Sequence, residues 1–115
     1  MSSRKVLVVD DDADVREAVT QLLTAAGHEV RTATDGADAL GSVTGGFVPD
    51  VVVLDLLMPV MDGASFLEAL QQQTAVRPRL VVLTAVRSHH VKWLLGVDEV
   101  LFKPCDAAEL LRAVG

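Results

Sequence analysis

Three short runs in this chain are aliphatic from end to end: VLVV at residues 6–9, VVVL at 51–54 and LVVL at 80–83. A strand with one wet face alternates apolar and polar residues. A run without alternation reads as a strand buried on both faces, as in a parallel sheet covered by helices on each side. Residues 29–33 and 99–102 are weaker strand candidates. Between the runs the period changes. Val15, Ala18, Val19, Leu22, Leu23 and Ala26 share one helical stripe, with Gly27 placed to cap it. Residues 37–43 predict a second helix ended by Gly45 and Gly46, and 64–72 a third carrying Phe66, Leu67 and Leu70. Residues 107–114 predict a last helix with Asp106 as N-cap. A β-α unit repeated five times predicts an α/β fold, a doubly wound five-stranded parallel sheet with helices on both faces.

Composition narrows the class. The 115 residues contain no repeat, low-complexity tract or linker, so 1–115 is expected to be one domain. Only 3% of residues are aromatic, so Val, Leu and Ala must build the core. The formal charge of −6 argues against sequence-independent nucleic acid binding, which needs a basic face. One cysteine, Cys105, cannot form an internal disulfide. The four-residue apolar run near the N-terminus is too short for a signal-peptide core, and no stretch approaches a membrane span. A cytoplasmic location is expected.

In doubly wound sheets, ligands bind beyond the carboxyl ends of the strands. The residues there are specific: Asp10, Asp11 and Asp12 after the first run, Asp55 after the third strand, Thr84 after the fourth, and Lys103-Pro104 after the fifth. Asp10, Asp11 and Asp55 carry −3 and Lys103 carries +1, a balance that one divalent cation cancels. Oxygen donors with no His or Cys beside them favour Mg²⁺ or Mn²⁺. Asp55 would then be a nucleophile accepting a phosphoryl group. Lys103 would neutralise charge on the phosphoryl oxygens, and Thr84 would donate a hydrogen bond to one of them.

The motifs VLVVDDD, VLDLLMPVMDG, LTA and KP, in that order and spacing, resemble the CheY-like receiver domain of two-component response regulators. The resemblance implies flavodoxin-like strand order 2-1-3-4-5 and phosphotransfer from a sensor histidine kinase or phosphotransfer protein. It implies Asp55 as phosphoacceptor, with Asp10 and Asp11 as the acid pocket. Asp11, Asp55 and the Leu57 carbonyl would bind Mg²⁺, with Mn²⁺ as a substitute. Thr84 and Ala85 would form the switch position, Lys103 the phosphate partner, and the Lys103-Pro104 bond would be cis. A downstream protein or fused output domain would read the signal, and a homodimer is a further partner state.

The chain departs from that pattern in three ways. The family's switch aromatic falls three residues before the lysine, and Val100 stands there. Phe102 is expected on the opposite alternation, and so not a simple replacement. Lys103 follows Thr84 by only 19 positions, which shortens the family's fourth-helix region or leaves it irregular. Leu57 and Val86, two positions after Asp55 and Thr84, are apolar where the family tunes water access, so slow self-dephosphorylation is expected.

Other readings fit less well. An EF-hand loop would need Gly at Val15 and Glu at Gln21. A phosphatase of the haloacid dehalogenase type would need Thr or Val at Asp14. Asp12 or Asp14 reads as a cap for the first helix, Asp62-Gly63 as a turn, and Trp93 as packing. Adjacent His89 and His90 diverge on a helix and cannot readily share a metal. The rival from another class is a receiver-like interaction domain that works without phosphorylation.

Overall fold

In the computed structural model, which describes residues 3–55, 63–73, 78–85 and 97–115, the three aliphatic runs are strands of one parallel sheet. Leu57, Val86, Met58, Pro59, Asp62, His89, His90 and Trp93 lie outside the described residues, as does the shortened fourth-helix region. The elements are β1 (Lys5–Val9), α1 (Ala13–Ala25), β2 (Glu29–Ala33), α2 (Gly36–Thr44), β3 (Val51–Leu54), α3 (Gly63–Gln73), β4 (Arg79–Thr84), β5 (Glu99–Phe102) and α4 (Ala107–Val114). The strand order is β2-β1-β3-β4-β5, as the resemblance implied.

Strand alternation divides the core into two layers. Leu7, Val9, Val52, Leu54, Leu80 and Val82 pack against Ala39 and Val43 of α2 and Phe66 and Leu70 of α3. Val6, Val8, Val51, Val53, Val81, Leu83 and Leu101 pack against Val19 and Leu23 of α1 and Leu110, Ala113 and Val114 of α4. β1 and β3 lie inside the sheet with helices on both faces, which is why their sequences never alternate. β2 and β5 are edges, and their burial is patchy.

The helix ends follow local chemistry. Asp12 is the N-cap of α1, where its Oδ1 accepts the backbone N–H of Asp14 at 2.9 Å and of Val15 at 3.3 Å. The helix is capped at its C-terminus by Ala26, and Gly27 comes next with φ of 97°, a conformation that costs glycine nothing. Asp106 caps α4 by accepting the N–H of Glu109 at 3.0 Å. One stripe residue departs from expectation. Ala18 is exposed and lines a groove of about 620 Å³ between α1 and α4.

A second correction concerns β5. Thr84 pairs with Phe102 and Val82 with Val100, so Phe102 and Val100 stand on the same side of the strand. Alternation has period 2, and residues 100 and 102 share a face. Phe102 is therefore not on the opposite alternation; it occupies the level beside Thr84.

Candidate functional site

The sheet ladder places the acids. Ala33, Val9, Leu54, Val82 and Val100 lie in register across all five strands. One residue beyond that row, the N–H of Asp10 donates to the Ala33 carbonyl at 3.2 Å, and the N–H of Asp55 donates to the Val9 carbonyl at 2.9 Å. Asp10 and Asp55 thus extend adjacent strands at the same level. By alternation they turn to the α1/α4 side, as do Leu83 and Leu101. Lys103 has the same parity as Leu101, and its N–H donates to the Thr84 carbonyl at 2.8 Å. Its side chain accordingly reaches both acids: Nζ is 2.7 Å from Asp10 Oδ2 and 3.4 Å from Asp55 Oδ2.

Burial makes these contacts strong. Asp10 is 3% exposed and Asp55 8%, while Thr84 at the end of β4 is fully buried. Partial burial pulls the Lys103 ammonium down, but the hydrogen bond and charge of Asp10, then those of Asp55, together outweigh it and hold its pKa above the ordinary lysine value. Asp10 is fixed at every polar atom. Besides its N–H, its Oδ1 accepts from the Asp12 N–H at 2.9 Å, its Oδ2 accepts from Lys103, and its carbonyl accepts from Arg16 Nη1 at 2.8 Å.

The structure brings Asp10, Asp11, Asp55 and Lys103 together, with Thr84 one ladder step from Lys103. Ala85 is exposed just beyond β4, and the Lys103–Pro104 peptide bond is cis. Arg16 is the residue that sequence reasoning missed. Its signal was its position: six residues after Asp10, in the first turns of α1, where a long side chain can reach back over the strand end.

The donor set fits a hard divalent ion. Asp10, Asp11 and Asp55 each offer a carboxylate oxygen, and these atoms lie within 4.8 Å of one another. Carboxylate oxygens at that spacing could close on one small hard cation, which takes oxygen donors at about 2.0–2.1 Å. All donors are oxygen, with no His or Cys in the cluster.

Comparison with known proteins agrees with this geometry. Residues 6–115 match the model for the response regulator receiver domain. The transcriptional regulatory protein PrrA of Mycobacterium bovis is 44% identical over 117 residues, covering 99% of this chain and 49% of that protein. The chain thus spans about half the length of that curated relative. The chemotaxis protein CheY4 of Vibrio cholerae superposes with a TM-score of 0.85 at 34% identity, covering 96% of this chain and 95% of that one. A chain of the CheX-CheY-BeF3-Mg complex from Borrelia burgdorferi superposes with a TM-score of 0.86 at 29% identity, covering 96% of this chain and 85% of that one.

Proposed function

This chain belongs to the response regulator receiver domain family, and from that premise we propose that it is a signalling switch in which Asp55 accepts a phosphoryl group. The observation that carries the reading is the pairing of Lys103 with two buried carboxylates, Asp10 and Asp55, at the carboxyl edge of the sheet. The donor is a phosphohistidine of a sensor histidine kinase or phosphotransfer protein. An Asp55 carboxylate oxygen attacks phosphorus, the P–N bond breaks with its electron pair left on the imidazole, and a P–O bond forms. Lys103 faces the charge on the phosphoryl oxygens, and the Thr84 hydroxyl, with Ala85 beside it, receives one of them. A Mg²⁺ or Mn²⁺ ion held by Asp10, Asp11, Asp55 and the Leu57 carbonyl supplies the remaining neutralising charge.

The chain turns over no metabolite in this reading; it catalyses only its own phosphorylation and dephosphorylation. The phosphorylated form changes the binding of a downstream protein or an output domain fused to this one, in the cytoplasm and with no direct nucleic acid or membrane contact by this segment. Homodimerisation is a further consequence to test. Apolar Leu57 and Val86 cannot position a water, so the acyl phosphate is expected to persist. A radiolabelled phospho-protein that lost its label within seconds in Mg²⁺ would contradict this.

Beryllofluoride, a phosphoryl mimic, tests the central claim. With Mg²⁺ it should shift the amide spectrum of the wild type and leave Asp55→Asn unchanged. No shift in the wild type, or an equal shift in Asp55→Asn, would remove Asp55 as acceptor. A second reading, an interaction domain independent of phosphate, draws on Val100 at the usual aromatic position. Phe102 weakens it, since it supplies an aromatic residue as the register partner of Thr84.

A further inference from the structure

We infer that Arg16 is the positioning residue for Asp11, and that through Asp11 it sets the affinity of the acid cluster for a divalent cation; this rests on the phosphoacceptor reading above. Asp11 is the exposed member of the cluster, and its carboxylate makes no hydrogen bond among the described residues. It nevertheless lies within 4.8 Å of the Asp10 and Asp55 carboxylates, with which it shares a charge sign. Repulsion alone would turn such a side chain outward into water. Something must aim its backbone.

The Arg16 bond aims it from the N-terminal side, as the Asp12 N–H bond to Asp10 Oδ1 does from the C-terminal side. The Asp10 carbonyl that accepts from Arg16 Nη1 at 2.8 Å belongs to the peptide joining Asp10 to Asp11. That peptide is planar, so fixing its oxygen also fixes the direction of the Asp11 N–H and Cα. The other polar atoms of Asp10 are held by Ala33, Asp12 and Lys103, and these ties do not need Arg16. Its distinct effect therefore falls on the next residue. Arg16 is half-buried and makes no ion pair among the described residues, although Asp14 and Glu17 flank it on α1. Its charge is thus spent on a carbonyl at the rim of a site rich in carboxylates. Partners of metal-ligating side chains change metal affinity about 10–100-fold when removed, and Arg16, which holds the backbone beside the ligands, belongs at the low end of that range.

The test is a Mg²⁺ titration of the ¹⁵N-labelled protein, reading the amide shifts of Asp10, Asp11 and Asp12, with melting in chelator as the measure of folding. Arg16→Met should raise the Mg²⁺ Kd about tenfold. Arg16→Lys, which keeps the charge and stem but not the planar fork, should raise it roughly threefold. In an Asp11→Asn background, removing Arg16 should add nothing further. Wild-type affinity in the arginine variants, or an undiminished loss in the Asp11→Asn background, would overturn the inference; should Arg16→Met not fold, the affinity of Arg16→Lys decides the question by itself. A wild type that binds no Mg²⁺ would instead overturn the reading on which the inference rests, and the inference with it.

Discussion

Lys103 stands between two buried carboxylates, so its removal has consequences of both charge and packing. Its side chain is 22% exposed, which places the pair between a screened surface bridge and a dry one. Lys103→Met is expected to lower unfolding free energy by about 2 kcal/mol, because Asp10 and Asp55 then face each other without a cation. Mg²⁺ should restore more stability in this variant than in wild type, since the ion replaces the missing charge; urea unfolding with and without Mg²⁺ measures both. Asp12 has a different role from its two neighbours. Asp12→Ala should cost about 1 kcal/mol through the lost cap while changing Mg²⁺ affinity less than about threefold, measured by the same unfolding curves and a titration. Cys105 lines the groove between α1 and α4, and burial, then the charges of Glu109 and Asp106, push its thiol pKa up. A raised pKa means less thiolate at any given pH. Alkylation by iodoacetamide should therefore be slower at pH 8 in the folded chain than in urea, with its midpoint moved to higher pH; an equal or lower midpoint would show that the neighbours do not hold the thiol.

At the scale of elements, α4 is tied to the sheet by its buried face, by the Arg79 Nε bond to the Ala113 carbonyl at 2.8 Å, and by ion pairs through Glu99. Glu99 on β5 takes Arg79 of β4 at 3.2 Å and Arg112 of α4 at 2.9 Å, with the arginine side chains 40% and 65% exposed. Exposed pairs contribute about 0.2–1 kcal/mol, whereas truncating a core leucine costs about 2–5 kcal/mol. Leu110→Ala should thus destabilise the chain several times more than Glu99→Gln in urea unfolding, and the reverse order would mean that ion pairs hold the helix. The elements themselves were legible to different degrees. β1, β3 and β4 declared themselves by unbroken aliphatic runs, and the spans of β2, β5 and α4 matched expectation because turn residues or a cap bounded them. Ala18 misled because helical period specifies a stripe but not which of its residues a neighbouring element covers. Period 2 puts Phe102 on the face of Val100 and not on the opposite one expected for it, and the Thr84–Phe102 register agrees.

At the scale of the molecule, the site is built from residues that are far apart in the chain but lie at the same edge of one sheet. Asp10, Asp55 and Lys103 were legible because each follows a recognisable strand, so parallel order alone gathers them. Arg16 was less so: its place six residues after Asp10 allows a helical side chain to turn back to the strand-end carbonyl, but the bond itself is visible only in the structure. A site assembled this way exists only when the sheet is folded, so a ligand there must stabilise the whole fold. With Mg²⁺ at 100 times its Kd, the stabilisation is about 2.7 kcal/mol. Amides of β1 and β3, inside the sheet and buried on both faces, should exchange through global unfolding. Where exchange is limited by the opening equilibrium, those amides should slow about 100-fold with the ion present, matching the change in unfolding free energy. The edge strands β2 and β5, which open locally, should slow less. If protection rose only near Asp10–Asp12 and Lys103 while Val51–Leu54 exchanged as before, the ion would be binding a locally ordered patch, and the coupling of this site to the fold would be wrong.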